Sequence, residues 1–70
     1  MADDPRRYVR IHAELAARIA DSSLPSGTLL NIGSIADEYG VARETVSRAI
    51  HLLADEGRIK RWPGLPYHVL

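Results

Sequence analysis

The stretch Gly40–Gly57, GVARETVSRAIHLLADEG, opens on a glycine and carries its apolar residues at Val46, Ala49, Ile50 and Leu53. Steps of three, four and seven residues put these side chains on one side of an α-helix, so the stretch predicts a helix with one stripe in a core. The other side starts with Arg43, Glu44 and Thr45 and continues with Ser47, Arg48 and His51. Gly57 stands where a left-handed residue closes a helix, which sets the helix at about residues 43–56.

Reading backward from Gly40, Asn31 is a good N-cap for a short helix carrying Ile32, Ile35, Ala36 and Tyr39. Gly33 weakens that helix by about 1 kcal/mol relative to Ala, and Gly40 ends it. The residues from Gly40 to Arg43 then turn the chain into the next helix, and two helices joined by so tight a glycine-containing turn form a helix-turn-helix. Before them, Leu29 and Leu30 can form a very short strand, and SSLPSG (residues 22–27) breaks the pattern. A first helix starts at Asp4-Pro5, a capping residue followed by the residue best suited to the first helical position. It carries Tyr8, Ile11, Leu15 and Ile19 inward, leaves Arg7, Arg10, Glu14 and Arg18 largely wet, and runs to Asp21 or Ser22.

Reading forward from Gly57, the period changes. RIKRW (58–62) and YHVL (67–70) are strand-like, and the turn Pro63–Pro66 between them makes a terminal hairpin with Ile59 and Val69 inward. The expected order is helix, short strand, helix, helix, hairpin. The expected core is Tyr8, Ile11, Leu15, Ile19, Ile35, Val46, Ile50, Leu53, Ile59 and Val69.

Seventy residues predict a single domain, 1–70. Nine Lys and Arg balance nine Asp and Glu, so net charge alone points to no anionic partner. The distribution is uneven: Asp3, Asp4, Asp21, Asp37 and Glu38 precede the quoted helix, while Arg43, Arg48, Arg58, Lys60 and Arg61 lie in or after it. With no cysteine there is neither a disulfide scaffold nor a thiolate metal site. MADDPRR lacks the apolar run of a signal peptide and no segment reaches membrane-spanning length, so a cytoplasmic protein away from membranes is expected. His12, His51 and His68 fall in three different elements without metal-ligand spacing. No nucleophile elbow or phosphate-binding glycine loop is present, and so small a body offers no water-excluding pocket. Catalysis, a metal and a cofactor are therefore not expected.

Pro25-Ser26-Gly27, the stretch Leu29–Ala36, Tyr39-Gly40-Val41, Arg43, Thr45, Val46, Arg48, Ala49, Ile50, Leu53, Glu56, Gly57 and Gly64 form an ordered set. From about Tyr8 to Val69 the chain resembles the N-terminal DNA-binding domain of GntR-type bacterial transcription regulators. The resemblance implies a winged helix-turn-helix, α+β and mainly α, with three helices and a C-terminal β-hairpin wing. It implies a sequence-specific DNA-binding transcriptional regulator, with the 43–56 helix in the major groove of double-stranded DNA and the 58–70 hairpin as the wing. The DNA-binding residues expected on this basis are Arg43, Glu44, Thr45, Ser47, Arg48, His51, Arg61 and Gly64. Some positions depart from the family pattern. Leu30, Asn31 and Ile32 replace Pro, Ser and Glu; Gly33 stands where many members have Arg; Ala42 replaces a Ser or Thr; Ser47 replaces a second Arg; and Gly64-Leu65-Pro66 replaces a Gly-x-Gly wing tip. Family members follow this domain with an effector-binding and dimerising domain. The sequence ends at Leu70, so the expectation is a DNA reader without a small-molecule effector.

The chemistry is consistent with that assignment. A helix fits the major groove with its N-terminal side chains near base edges, where Arg43 can donate two hydrogen bonds to guanine or clamp a phosphate. Thr45 and Ser47 can donate to phosphate, Arg48 and His51 lie further along, and Lys60, Arg61 and Trp62 can press on the sugar-phosphate backbone. The plainer reading is a solvated face on which Glu44 and Arg48 pair across one turn. The alternative from another class is a winged helix that serves protein–protein interaction through Trp62, Leu65 and Tyr67. The same surface is available to a homodimer formed on DNA.

Overall fold

The local signals set the helix boundaries. Asn31 has extended backbone and its side-chain oxygen accepts the Ser34 N–H at 3.0 Å, capping the second helix as the sequence predicts. That helix closes at Gly40, whose φ of 65° no side chain adopts cheaply. There the N–H of Val41 donates to the carbonyl of Ala36 at 3.0 Å and that of Gly40 to Asp37 at 3.4 Å, the paired bonds of a Schellman end. The third helix starts without a side-chain cap, because Ala42 has no hydroxyl to offer. It ends on the same kind of motif, with Gly57 donating to Ala54 at 3.0 Å and Arg58 to Leu53 at 3.1 Å.

The computed structural model describes residues 5–70, so the proposed cap Asp4 lies outside the described residues. The elements are α1 (Pro5–Ala20), β1 (Leu29–Leu30), α2 (Ile32–Tyr39), α3 (Arg43–Asp55), β2 (Ile59–Arg61) and β3 (Tyr67–Val69). α1 stops just short of the expected end, and Ser22, at φ 67°, helps turn the chain after it. The expected hairpin is present, with Ile59 opposite Val69, Lys60 opposite His68 and Arg61 opposite Tyr67. β1 adds a third strand on the other side of β3, pairing Leu29 with His68 and Leu30 with Tyr67, all antiparallel. Two loop bonds, Gly27 N–H to the Val69 carbonyl at 2.8 Å and Val69 N–H to that of Thr28 at 2.9 Å, fix this junction.

The three helices pack on one another, and the sheet covers their open end. Ile11 and Leu15 of α1, Ile35 and Ala36 of α2, Val46, Ala49, Ile50 and Leu53 of α3, and Leu30, Ile59 and Val69 of the sheet form one core. Val46, Ala49, Ile50 and Leu53 of the opening stretch are wholly inaccessible to solvent. Two core expectations change. Tyr8 is half-buried and outside the cluster, and Ile19 packs only at its edge. Leu30 takes a place inside, because strand alternation turns it inward and leaves Leu29 exposed.

Polar ties cross the surface of this core. Arg18 donates to both Glu38 and the Tyr39 hydroxyl at 3.3 Å, joining α1 to α2. His12 Nε2 lies 2.9 Å from both carboxylate oxygens of Glu56, joining α1 to the end of α3, and Arg58 Nε donates to the same carboxylate at 2.9 Å.

Candidate DNA interface

With Val46, Ala49, Ile50 and Leu53 committed to the core, α3 turns the opposite stripe to solvent: Arg43, Glu44, Arg48 and His51 are exposed and Ser47 is half-buried between them. Thr45 is the exception and corrects the sequence reading. Its residue is 1 % exposed, on the core side of the helix. The reason is the helical period, since Thr45 lies one turn before Ala49 in the same buried row, where a β-branched side chain packs well. Its hydroxyl is thereby withdrawn from the polar face on which the sequence reading put it.

Glu44 and Arg48 form the one-turn pair foreseen in the plainer reading, at 3.4 Å with both side chains well exposed. A pair so long and so wet holds its partners by about 0.3–0.5 kcal/mol. At the N-terminal end of the stripe, Arg43 reaches over the first turn of α2. A methyl group built on Gly33 lies 3.3 Å from Arg43 Nη2 and 3.3 Å from Asn31 Oδ1, so this guanidinium lies over the bare backbone at Gly33. No local signal marks this contact between residues ten positions apart.

The wing approaches the same turn. Arg61, Leu65, Pro66 and Tyr67 line a shallow cleft with Leu30, Asn31, Ile32 and Gly33, so Arg43 and Arg61 flank the start of α2. The Arg61 guanidinium lies 5.2 Å from the centre of the Tyr67 ring, and Lys60 Nζ lies 4.8 Å from that of Trp62. At the tip, Leu65 N–H donates to the Trp62 carbonyl at 3.0 Å, and Gly64, at φ 79°, completes the turn. Pro63 in the second place and Gly64 in the third fit a type II turn. Gly64 is exposed, and so are Trp62 at 54 % and Leu65 at 57 %. Tyr67, grouped with them in the protein-interaction reading, is instead half-buried and packs against the core. The tip offers few hydrogen-bond donors, since two of its residues are prolines and Leu65 N–H is spent within the turn.

A second cleft places Arg7 and Arg10 of α1 beside Tyr39, Gly40 and Val41, at the turn that leads into α3. The sequence reading took these arginines only as the wet side of α1; their three-residue spacing was the available signal. Away from this face, the Glu56 carboxyl is held below its ordinary range, first by the hydrogen bond to His12 and then by Arg58. Among the described residues no group of three or more His, Cys, Asp or Glu is arranged to hold a metal ion, and no helix is long and apolar enough to cross a membrane.

Comparison with known proteins places this architecture. Residues 7–69 match the family model of bacterial regulatory proteins, gntR family. The chain is 40 % identical over 52 residues to the gluconate operon transcriptional repressor of Bacillus subtilis, a match that covers 74 % of this chain and 21 % of the repressor. The chain therefore spans about a fifth of that relative's length. Its fold is similar to that of a GntR-family transcriptional regulator from Pseudomonas syringae, with a TM-score of 0.86 and 28 % identity over 99 % of this chain and 30 % of that one. It is also similar in fold to the AraR DNA-binding domain solved in complex with an operator, with a TM-score of 0.84 and 20 % identity over 100 % of this chain and 83 % of that one. The three helices, the tight turn and the hairpin thus carry the sequence pattern of one family, and the chain belongs to the GntR family of bacterial regulatory proteins.

Proposed function

We propose that this chain is the sequence-reading domain of a bacterial transcriptional regulator that acts on double-stranded DNA in the cytoplasm. One observation carries the reading: the solvent-facing stripe Arg43, Glu44, Ser47, Arg48 and His51 on α3 begins beside the start of α2, where Arg61 of the wing also lies. A helix of this kind enters the major groove while a flanking element follows the backbone. The AraR domain, similar in fold at a TM-score of 0.84, was solved bound to an operator. Arg43, Arg48 and His51 face the groove, Ser47 and Glu44 lie at its edges, and Arg61 with the Gly64 tip meets the sugar-phosphate backbone. Thr45 supports the helix from within.

Neutral net charge does not oppose this, because phosphates respond to local charge, and Arg43, Arg48 and Arg61 are all exposed. A second reading rests on Trp62 and Leu65, which are more than half exposed on a donor-poor tip and suit a protein surface, either of a second copy on DNA or of another partner. Selection of bound duplexes from a random library tests the main reading. Enrichment of a defined sequence supports it, whereas recovered duplexes as random as the input overturn it.

A further inference from the structure

We infer that Gly33 is a positioning residue for Arg43: the missing side chain at position 33 is what allows the α3 guanidinium to lie across the first turn of α2. The inference rests on the proposal that Arg43 touches DNA, and it explains how a single arginine is oriented before contact. A methyl group on Gly33 sits 3.3 Å from Arg43 Nη2, a separation tighter than nine in ten real contacts of a side-chain carbon, so alanine pushes the guanidinium a few tenths of an ångström off its seat. The guanidinium is exposed and sits at the far end of a flexible stem, so it can leave its seat at little cost. The same methyl comes 3.3 Å from Asn31 Oδ1, whose bond to the Ser34 N–H caps α2.

Glycine is otherwise a poor choice here. Position 33 lies inside α2 and its backbone is not in the left-handed region, so nothing in the main chain requires it. Alanine there favours the helix by up to about 1 kcal/mol. A residue that weakens its helix, has no conformational need for glycine and lies under a functional arginine is accounted for by the space it leaves open.

The two positions are therefore coupled, and Gly33→Ala separates stability from binding. Four proteins test this: the parent, Gly33→Ala, Arg43→Ala and the double variant, each titrated against a fluorescein-labelled mixed-sequence duplex at low salt and each melted. Arg43→Ala is expected to weaken binding about tenfold. Gly33→Ala is expected to weaken it by about threefold or more with a melting temperature equal to or a few degrees above the parent's. In the Arg43→Ala background the glycine change is expected to leave affinity unaltered. A nitrogen–proton NMR spectrum supplies a reading independent of DNA: the Arg43 Nε–H signal should shift on Gly33→Ala.

An unmoved signal overturns the inference, as does undiminished affinity in Gly33→Ala when Arg43→Ala has lost it. A loss in Gly33→Ala that persists in the double variant, with a lowered melting temperature, also overturns it and assigns the effect to the Asn31 cap. If Arg43→Ala binds as the parent does while the Arg43 signal still shifts between the parent and Gly33→Ala, the positioning stands and the assignment of Arg43 to DNA fails.

Discussion

Arg43 and Thr45 are two residues apart in sequence but have opposite fates. Arg43 stays on the exposed face, and its replacement by Ala is expected to cost about 1–3 kcal/mol of DNA binding, the worth of one good contact. Arg58→Ala is the matched control, because it removes the same charge at the base of the wing away from the tip, where Arg58 already pairs with Glu56. Fluorescence anisotropy on one duplex compares the two; equal losses would mean that only diffuse charge is sensed. Arg18 is unsuited to that role, since its bonds to Glu38 and Tyr39 tie α1 to α2. Thr45 shows why part of the site was illegible in the sequence. Its hydroxyl suggests solvent, but its place one turn before Ala49 puts it in the buried row, and only packing decides between the two. The Gly33–Arg43 contact was hidden for a related reason, since it depends on how two helices meet rather than on any local preference. At Glu56 the sign of a pH effect follows from the cause. Its carboxyl titrates below the ordinary value of 4.5 when folded, so its stabilisation is present above that pH and is lost as pH falls through the lowered folded value. Thermal melts between neutral and acid pH should therefore fall less steeply for Glu56→Gln than for the parent. Parallel curves for the two proteins would show that the His12–Glu56–Arg58 cluster does not couple to folding.

Among the elements, α3 is the one on which fold and site both depend. One face supplies Val46, Ala49, Ile50 and Leu53 to the core, each at 0 % exposure, and the other supplies the solvent-facing stripe proposed to meet DNA. Leu53→Ala is expected to cost about 2–4 kcal/mol, close to the whole stability of so small a domain. Chemical denaturation gives the number, and an unchanged midpoint would contradict the assigned face. The ends of the helices were readable because they rest on local chemistry: the Asn31 cap and the left-handed glycines at 40 and 57 act over a few residues. The pairing of β1 with β3 was not readable. It joins segments almost forty residues apart through a two-residue strand, too short to carry an alternating pattern, and it is fixed by loop bonds from Gly27 and Thr28 to Val69. The hairpin itself was readable from the change of period after Gly57. Its tip was readable in part: Trp62 and Leu65, expected on a partner surface and not in the core, are exposed, whereas Tyr67, grouped with them, is half-buried against the core.

For the whole molecule, composition was the weakest guide: nine positive and nine negative groups sum to zero, yet Arg43 and Arg48 are exposed on α3 and Arg61 on the wing. The exposed Trp62 and Leu65 form too small a patch to hold a stable dimer by themselves. The 70-residue chain is therefore expected to sediment as a monomer at micromolar concentration without DNA, and a dimer under those conditions would assign the wing to self-association. The most direct test of whether the α3 face meets phosphate is a titration of a labelled mixed-sequence duplex at about 50 and 200 mM salt, because each phosphate neutralised releases counterions and lowers log affinity by about 0.9 per decade of salt. The predicted result is binding at low salt that weakens markedly at high salt, and weakens less steeply in Arg43→Ala. No binding at either concentration, or an affinity indifferent to salt, would contradict the DNA-reading role and favour a protein partner.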